Sequence, residues 1–136
     1  MNRVINVAFS GFIFMLVSNC GLFDSGEVSR GGPYKLSWID IPENVTLSYD
    51  LGKGSSVGRI EEQVFAVGWD GRYLVAQQHP KGNKKITNYF VIDAKKDSPS
   101  ADPKDVVIGP LTETEYKTKS AELKLPPFTK ELESLK

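Results

Sequence analysis

The dipeptide Asp70-Gly71 separates two apolar runs, residues 60–69 and 72–79. Asp-Gly in that setting is the strongest short-range hairpin signal, because a type I′ turn needs positive φ at both central positions. A two-residue turn also sets the register. Trp69 is expected opposite Arg72, Val67 opposite Leu74 and Phe65 opposite Ala76 on one side of the sheet. Gly68 with Tyr73, Ala66 with Val75 and Glu62 with His79 make up the other. Both sides are largely apolar, so the hairpin is expected to lie centrally and to be covered on both faces.

Shorter alternating segments surround it. Tyr34, Leu36 and Trp38 share one face of a strand, and Val45-Thr46-Leu47-Ser48-Tyr49 repeats the pattern. Residues 52–58 hold three glycines and two serines and read as a loop. Residues 86–93 read as a strand centred on Tyr89-Phe90-Val91-Ile92, and Val106-Val107-Ile108 as a short edge strand after a polar, proline-bearing loop.

Beyond Gly109-Pro110 the period changes. Thr112 and Glu115 have capping-box spacing, and Leu111 with Tyr116 has that of a hydrophobic staple. A helix is therefore predicted from Glu113 to Leu123, with its acids early and its lysines late, as the helix dipole prefers. Tyr116, Ser120 and Leu123 form its inner stripe, and Pro126-Pro127 stops it. Residues 129–135 suit a last short helix with Leu132 and Leu135 inward. The predicted fold is α+β, a small antiparallel sheet of four to six strands followed by one or two C-terminal helices. About 100 residues bury an adequate core without disulfides.

The first nineteen of the 136 residues do not match that domain. A basic start, Met1-Asn2-Arg3, leads into an apolar run over residues 4–17. As a helix at about 1.5 Å per residue the run is roughly 21 Å long. A bilayer core is about 30 Å thick, so the segment is short for a span and suits a signal peptide. Leu16-Val17-Ser18-Asn19-Cys20 follows, and Cys20 is the only cysteine. A lone cysteine in a secreted chain forms no internal disulfide. A buried thiol, an intermolecular disulfide and a cytosolic protein with an apolar first helix are the other readings.

This ending resembles the lipobox of bacterial lipoproteins. The resemblance implies cleavage between Asn19 and Cys20, with lipid (palmitate among its acyl chains) on the Cys20 sulfur and the new amino terminus. Asn19 stands where Gly, Ala or Ser is usual in that family. Gly21 follows the cysteine where Asp would favour the inner membrane. For a Gram-negative host the resemblance therefore implies the outer membrane, facing the periplasm. The division expected is residues 1–19 as signal, 20–32 as the lipidated cysteine and a flexible Gly/Ser-rich tether, and 33–136 as one domain.

The charge is balanced at 17 basic against 17 acidic side chains, and removal of Arg3 leaves 16 against 17. A nucleic-acid surface calls for a clustered basic excess, which argues against a nucleic-acid partner. The membrane contact expected is lipid on Cys20 and not a polybasic patch.

Three stretches, from Phe65 to Pro80, Asn88 to Asp93 and Ile108 to Tyr116, together resemble an uncharacterised family of small bacterial proteins, many of them lipoproteins. The resemblance covers roughly residues 34–128. It implies no catalytic or binding residue.

Chemistry-bearing patterns are sparse. Zinc sites take three or four ligands. His79, the only histidine, joined by Glu62 supplies two, and a cross-strand ion pair explains them equally well. The stretch from Asp97 to Asp102 lacks the glycine and closing glutamate of a calcium loop. No Gly-x-Ser-x-Gly elbow occurs, and Gly52-Lys53-Gly54-Ser55-Ser56 lacks the ending of a phosphate loop. No cofactor or metal is expected. Trp69 and Arg72, flanking a tight turn, are the candidate binding face. The function expected is that of a membrane-anchored envelope lipoprotein, not an enzyme, that binds an envelope protein; a small envelope enzyme or ligand carrier is the alternative.

Overall fold

The computed structural model describes residues 25–136. Nine strands lie among the described residues, in two antiparallel sheets. The first is a meander of β1 (Ser25–Gly31), β2 (Tyr34–Ile39), β3 (Thr46–Gly52) and β4 (Ser55–Ile60), in that spatial order. The second holds β5 (Val64–Trp69), β6 (Tyr73–Gln78), β7 (Asn88–Asp93), β8 (Val107–Leu111) and β9 (Lys130–Glu131), ordered β8-β7-β6-β5-β9. The α-helices are the single turn α1 (Pro103–Val106) and the three-turn α2 (Glu113–Leu123).

Period-two alternation explains how the layers meet. Tyr34 and Leu36 of β2 and Leu47 of β3 are buried in one cluster with Phe65, Leu74, Ala76, Phe90 and Ile92 of the second sheet. On the other face of that sheet Tyr73, Val75 and Val91 pack with Tyr116 of α2. Strand β6 thus feeds two cores, one toward the first sheet and one toward the helix. This is the doubly covered position expected from two largely apolar faces.

The fold is mainly β, which corrects the expectation of a single sheet of four to six strands with helices after it. Three segments account for the difference. Residues 25–31 have the composition of a tether, yet they pair along β2, with Val28 packed against the core and Arg30 joined to Glu27 and Asp50. Ser55–Ile60 lies partly in the glycine-serine stretch read as a loop, but it pairs with β3 and turns Arg59 and Ile60 inward. The predicted last helix is mostly extended, because Thr129 N–H and Leu132 N–H donate to the carbonyls of Val67 and Phe65 at 3.0 and 2.7 Å. Only a 3-10 turn, Glu133–Leu135, remains of it, with Leu135 buried.

Helix α2 has the predicted bounds. Thr112 Oγ1 accepts from Glu115 N–H and the Glu115 carboxylate accepts from Thr112 N–H, each at 3.2 Å, so the capping box is complete.

The central hairpin forms with its register moved by two residues: Trp69 pairs with Leu74, Gly68 with Val75 and Val67 with Ala76. The cause is Asp70. Its Oδ1 accepts from the N–H groups of Arg72 and Tyr73 at 2.9 and 2.7 Å, so Asp70 stands just before the turn and not within it. Gly71 alone has positive φ (94°), which fits a type II′ turn with Gly71-Arg72 as its loop. His79 meets Gln63 instead of Glu62, exchanging both backbone hydrogen bonds with it at 2.9 Å.

Candidate functional site

The candidate site is built at the end of the sheets where β5 turns into β6. Asp93 closes β7 and caps a 3-10 turn, Ala94–Lys96, by accepting from Lys95 N–H. That turn delivers Asp97 beneath the first sheet. There the Asp97 carboxylate accepts two hydrogen bonds from Arg59 of β4, at 2.9 and 2.8 Å, and one from the Tyr34 hydroxyl at 2.8 Å. The Arg59 and Asp97 side chains are 1% and 0% exposed, so the ion pair is out of water. The guanidinium donates further to the carbonyls of Gly58 and Ser98 and lies over the Tyr49 ring, 5.3 Å from its centre. Burial by itself would raise the Asp97 carboxyl, but the bonds from Arg59, Tyr34 and Ser98 N–H outweigh it and hold the group below the usual carboxylate range. Burial and the Asp97 charge push the Tyr34 hydroxyl far upward, so it stays a donor.

Trp69 and Arg72 flank this end but do not share a face. Trp69 is half-buried. Its ring lies against Gly31 and Gly32 and meets Tyr34 edge-on, with centroids 5.7 Å apart. A Cβ on Gly32 would come within 2.4 Å of the indole, and Gly32 also has φ of +54°, so this close approach needs glycine. Beside Trp69 is a cleft of about 60 Å³ bordered by Arg30, Tyr34 and Lys130. Arg72 points to the helix side. It stacks over Tyr73 at 4.8 Å and pairs with Asp93 at 3.2 Å, its side chain 47% exposed. Arg72, Asp93, Lys96, Asp105, Lys119 and Glu122 border a groove of about 340 Å³ between α2 and the sheet, with both signs of charge represented.

Residues 32–135, most of the chain, match a family described as a protein of unknown function, DUF3997. The chain belongs to the DUF3997 family. No curated protein and no solved structure gives a significant match.

In this DUF3997 domain His79 is buried at the opposite end of β6. It stacks on Phe65 with ring centres 4.2 Å apart, and its Nδ1 lies 2.9 Å from the Ile86 carbonyl. Glu62 is not its partner. Among the described residues no three of His, Cys, Asp and Glu gather as metal ligands. Cys20 and Asn19 lie outside the described residues.

Sequence reasoning missed the Arg59–Asp97–Tyr34 assembly. Its members are 25 to 63 positions apart. Arg59 falls between the stretch read as a loop, residues 52–58, and the apolar run that begins at Ile60, and Asp97 sits among other polar residues. The one local signal was Arg59 lying directly between Gly58 and the apolar Ile60, at the edge of a β pattern.

Proposed function

We propose that this DUF3997 chain is a bacterial envelope lipoprotein, held to a membrane through lipid on Cys20, whose folded domain binds another envelope protein. The lipobox-like ending at Cys20 supports the anchor. The observation that carries the binding reading is that the buried groups capable of acid–base chemistry are committed to the framework. Asp97 is saturated by Arg59, Tyr34 and Ser98, and His79 is held between Phe65 and the Ile86 carbonyl. The groove at Arg72 is bordered by charges of both signs, Arg72, Lys96 and Lys119 beside Asp93, Asp105 and Glu122, a composition that suits the polar rim of a protein interface.

Two expected results follow. Radiolabelled palmitate labels the wild-type chain in cells and fails to label Cys20→Ala; equal labelling of both sinks the anchor. A photo-crosslinking residue placed at Arg72 captures one dominant envelope protein, and the same residue at Lys53, on the β3–β4 turn, does not. Capture of the same mixture from both positions sinks the binding face.

A further inference from the structure

The two most exposed large aliphatic side chains among the described residues lie close together in sequence beside the start of β1. Ile39 is 65% exposed and Ile41 50%, the two highest values among the large hydrophobic residues described. Ile39 ends β2 and Ile41 lies in the bend just beyond it, and Ile39 pairs directly with Ser25 of β1. Partners in an antiparallel ladder have Cα atoms about 4.5–5.5 Å apart. Trp38, half-buried next door, lies over Gly26: a Cβ there would fall 2.6 Å from the indole nitrogen. An exposed Ile-x-Ile pair beside a tryptophan is the residue set that settles at a membrane interface.

The length of chain before Ser25 says what covers this corner. Only four residues, Gly21, Leu22, Phe23 and Asp24, separate Cys20 from Ser25. Consecutive Cα atoms are 3.8 Å apart, so five steps reach about 19 Å at full extension. With Ser25 already paired in β1, at most four residues can serve as spacer between Cys20 and the sheet. A domain tied that closely to acyl chains in the bilayer presents to it the corner holding Ser25, and Ile39 is Ser25's neighbour.

We propose that the Ile39–Ile41 corner is a membrane-docking surface, seated at the headgroup–acyl boundary of the bilayer that holds the lipid anchor. This rests on the anchoring read above for Cys20. Asp40 and Glu43, both exposed, border the corner, so its contact is apolar and with a mainly zwitterionic surface, not an attraction to anionic lipid. Docking there turns the opposite end of the sheets, with Trp69 and Arg72, away from the membrane.

The test uses the full acylated chain in vesicles of mainly phosphatidylethanolamine. Once the Cys20 sulfur is acylated, an introduced cysteine is the only free thiol. A nitroxide is attached at Ile39→Cys or, as the control, at Ile108→Cys, an isoleucine 37% exposed on the other sheet. Both sites are on the surface, so folding tolerates the label, and circular dichroism verifies it. Expected is a several-fold drop in collision with an aqueous nickel chelate at position 39, a rise in collision with oxygen there, and no change at 108. Equal exposure at the two positions in acylated, vesicle-bound protein overturns the docking surface and leaves the anchor standing. Protection of both overturns it too, as unoriented adsorption. Protein that carries no acyl mass and does not float with vesicles removes the anchor and this inference together.

Discussion

Asp97→Ala is expected to lower the unfolding free energy by about 3–5 kcal/mol, the usual cost of removing one partner of a buried ion pair. The side chains it would disrupt are almost wholly buried, and Asp97 is the common acceptor for Arg59 and Tyr34. Alanine leaves a guanidinium out of water with only carbonyls and the Tyr49 face to stabilise it, and strands the Tyr34 hydroxyl, a further loss of about 1–3 kcal/mol if it finds no partner. Urea unfolding measures the change; a loss under about 1 kcal/mol would contradict the account. The counter-experiment replaces the whole assembly, Arg59→Met with Asp97→Leu and Tyr34→Phe. Removing every member avoids an orphaned charge, so this variant should recover most of the stability that Asp97→Ala loses.

The same group sets an acid limb. The folded Asp97 carboxyl lies below its ordinary value near 3.8. A carboxylate depressed on folding stabilises fully above its unfolded pKa, and that contribution disappears as pH falls through the folded value. Wild-type stability should therefore drop below about pH 4, and the triple replacement should show a shallower drop over the same range. Parallel curves would assign the acid limb to other carboxylates, Asp93 and Asp50 first, both of which are also lowered.

The second large effect is expected at Gly68, near the end of β5. A Cβ there would lie 2.0 Å from the Pro127 carbonyl oxygen and 3.0 Å from a methyl of Val75. The obstacle is backbone and stiff, since Pro126 and Pro127 are adjacent and the segment beyond is fastened to Val67 and Phe65. Overpacking of this kind costs about 1–3 kcal/mol, and Gly68→Ala should fall at the upper end or above. Gly58 of β4 is the comparison: a Cβ there meets nothing within 4 Å. Gly58→Ala should be neutral or stabilising by up to about 1 kcal/mol. Thermal melts of the two variants decide it, and an unchanged midpoint for Gly68→Ala would mean the C-terminal crossing is not seated as described.

What was legible in the sequence was what is encoded locally. The bounds of α2 followed from Thr112, Glu115 and the proline pair, and those of β2 from the alternation of Tyr34, Leu36 and Trp38. The doubly covered hairpin followed from its apolar runs. Its register did not, because a carboxylate at Asp70 captured two backbone N–H groups and moved the turn forward, a choice that Asp-Gly alone leaves open. Strand β1 has one inward apolar residue, Val28, and a register shift beside it, so no period shows. The division into two sheets depends on which strands face each other across the core, and the Arg59–Asp97 pair depends on that division. The Trp69–Arg72 face split for the same reason as the register: a residue inside the turn loop takes a different side from one ahead of it.

Strand β9 has a consequence for solubility. It is two residues long, yet it stands along the outer edge of β5, whose stretch Val64–Trp69 contains no charged side chain. Uncovered, that edge would offer a row of unpaired amides and carbonyls flanked by Val, Phe and Trp, the combination that pairs edge to edge with a second copy. Lys130 and Glu131 place opposite charges there. By occupying the hydrogen-bonding groups of Ala66 and Val67, β9 leaves that part of the β5 edge unavailable to a strand from a second copy.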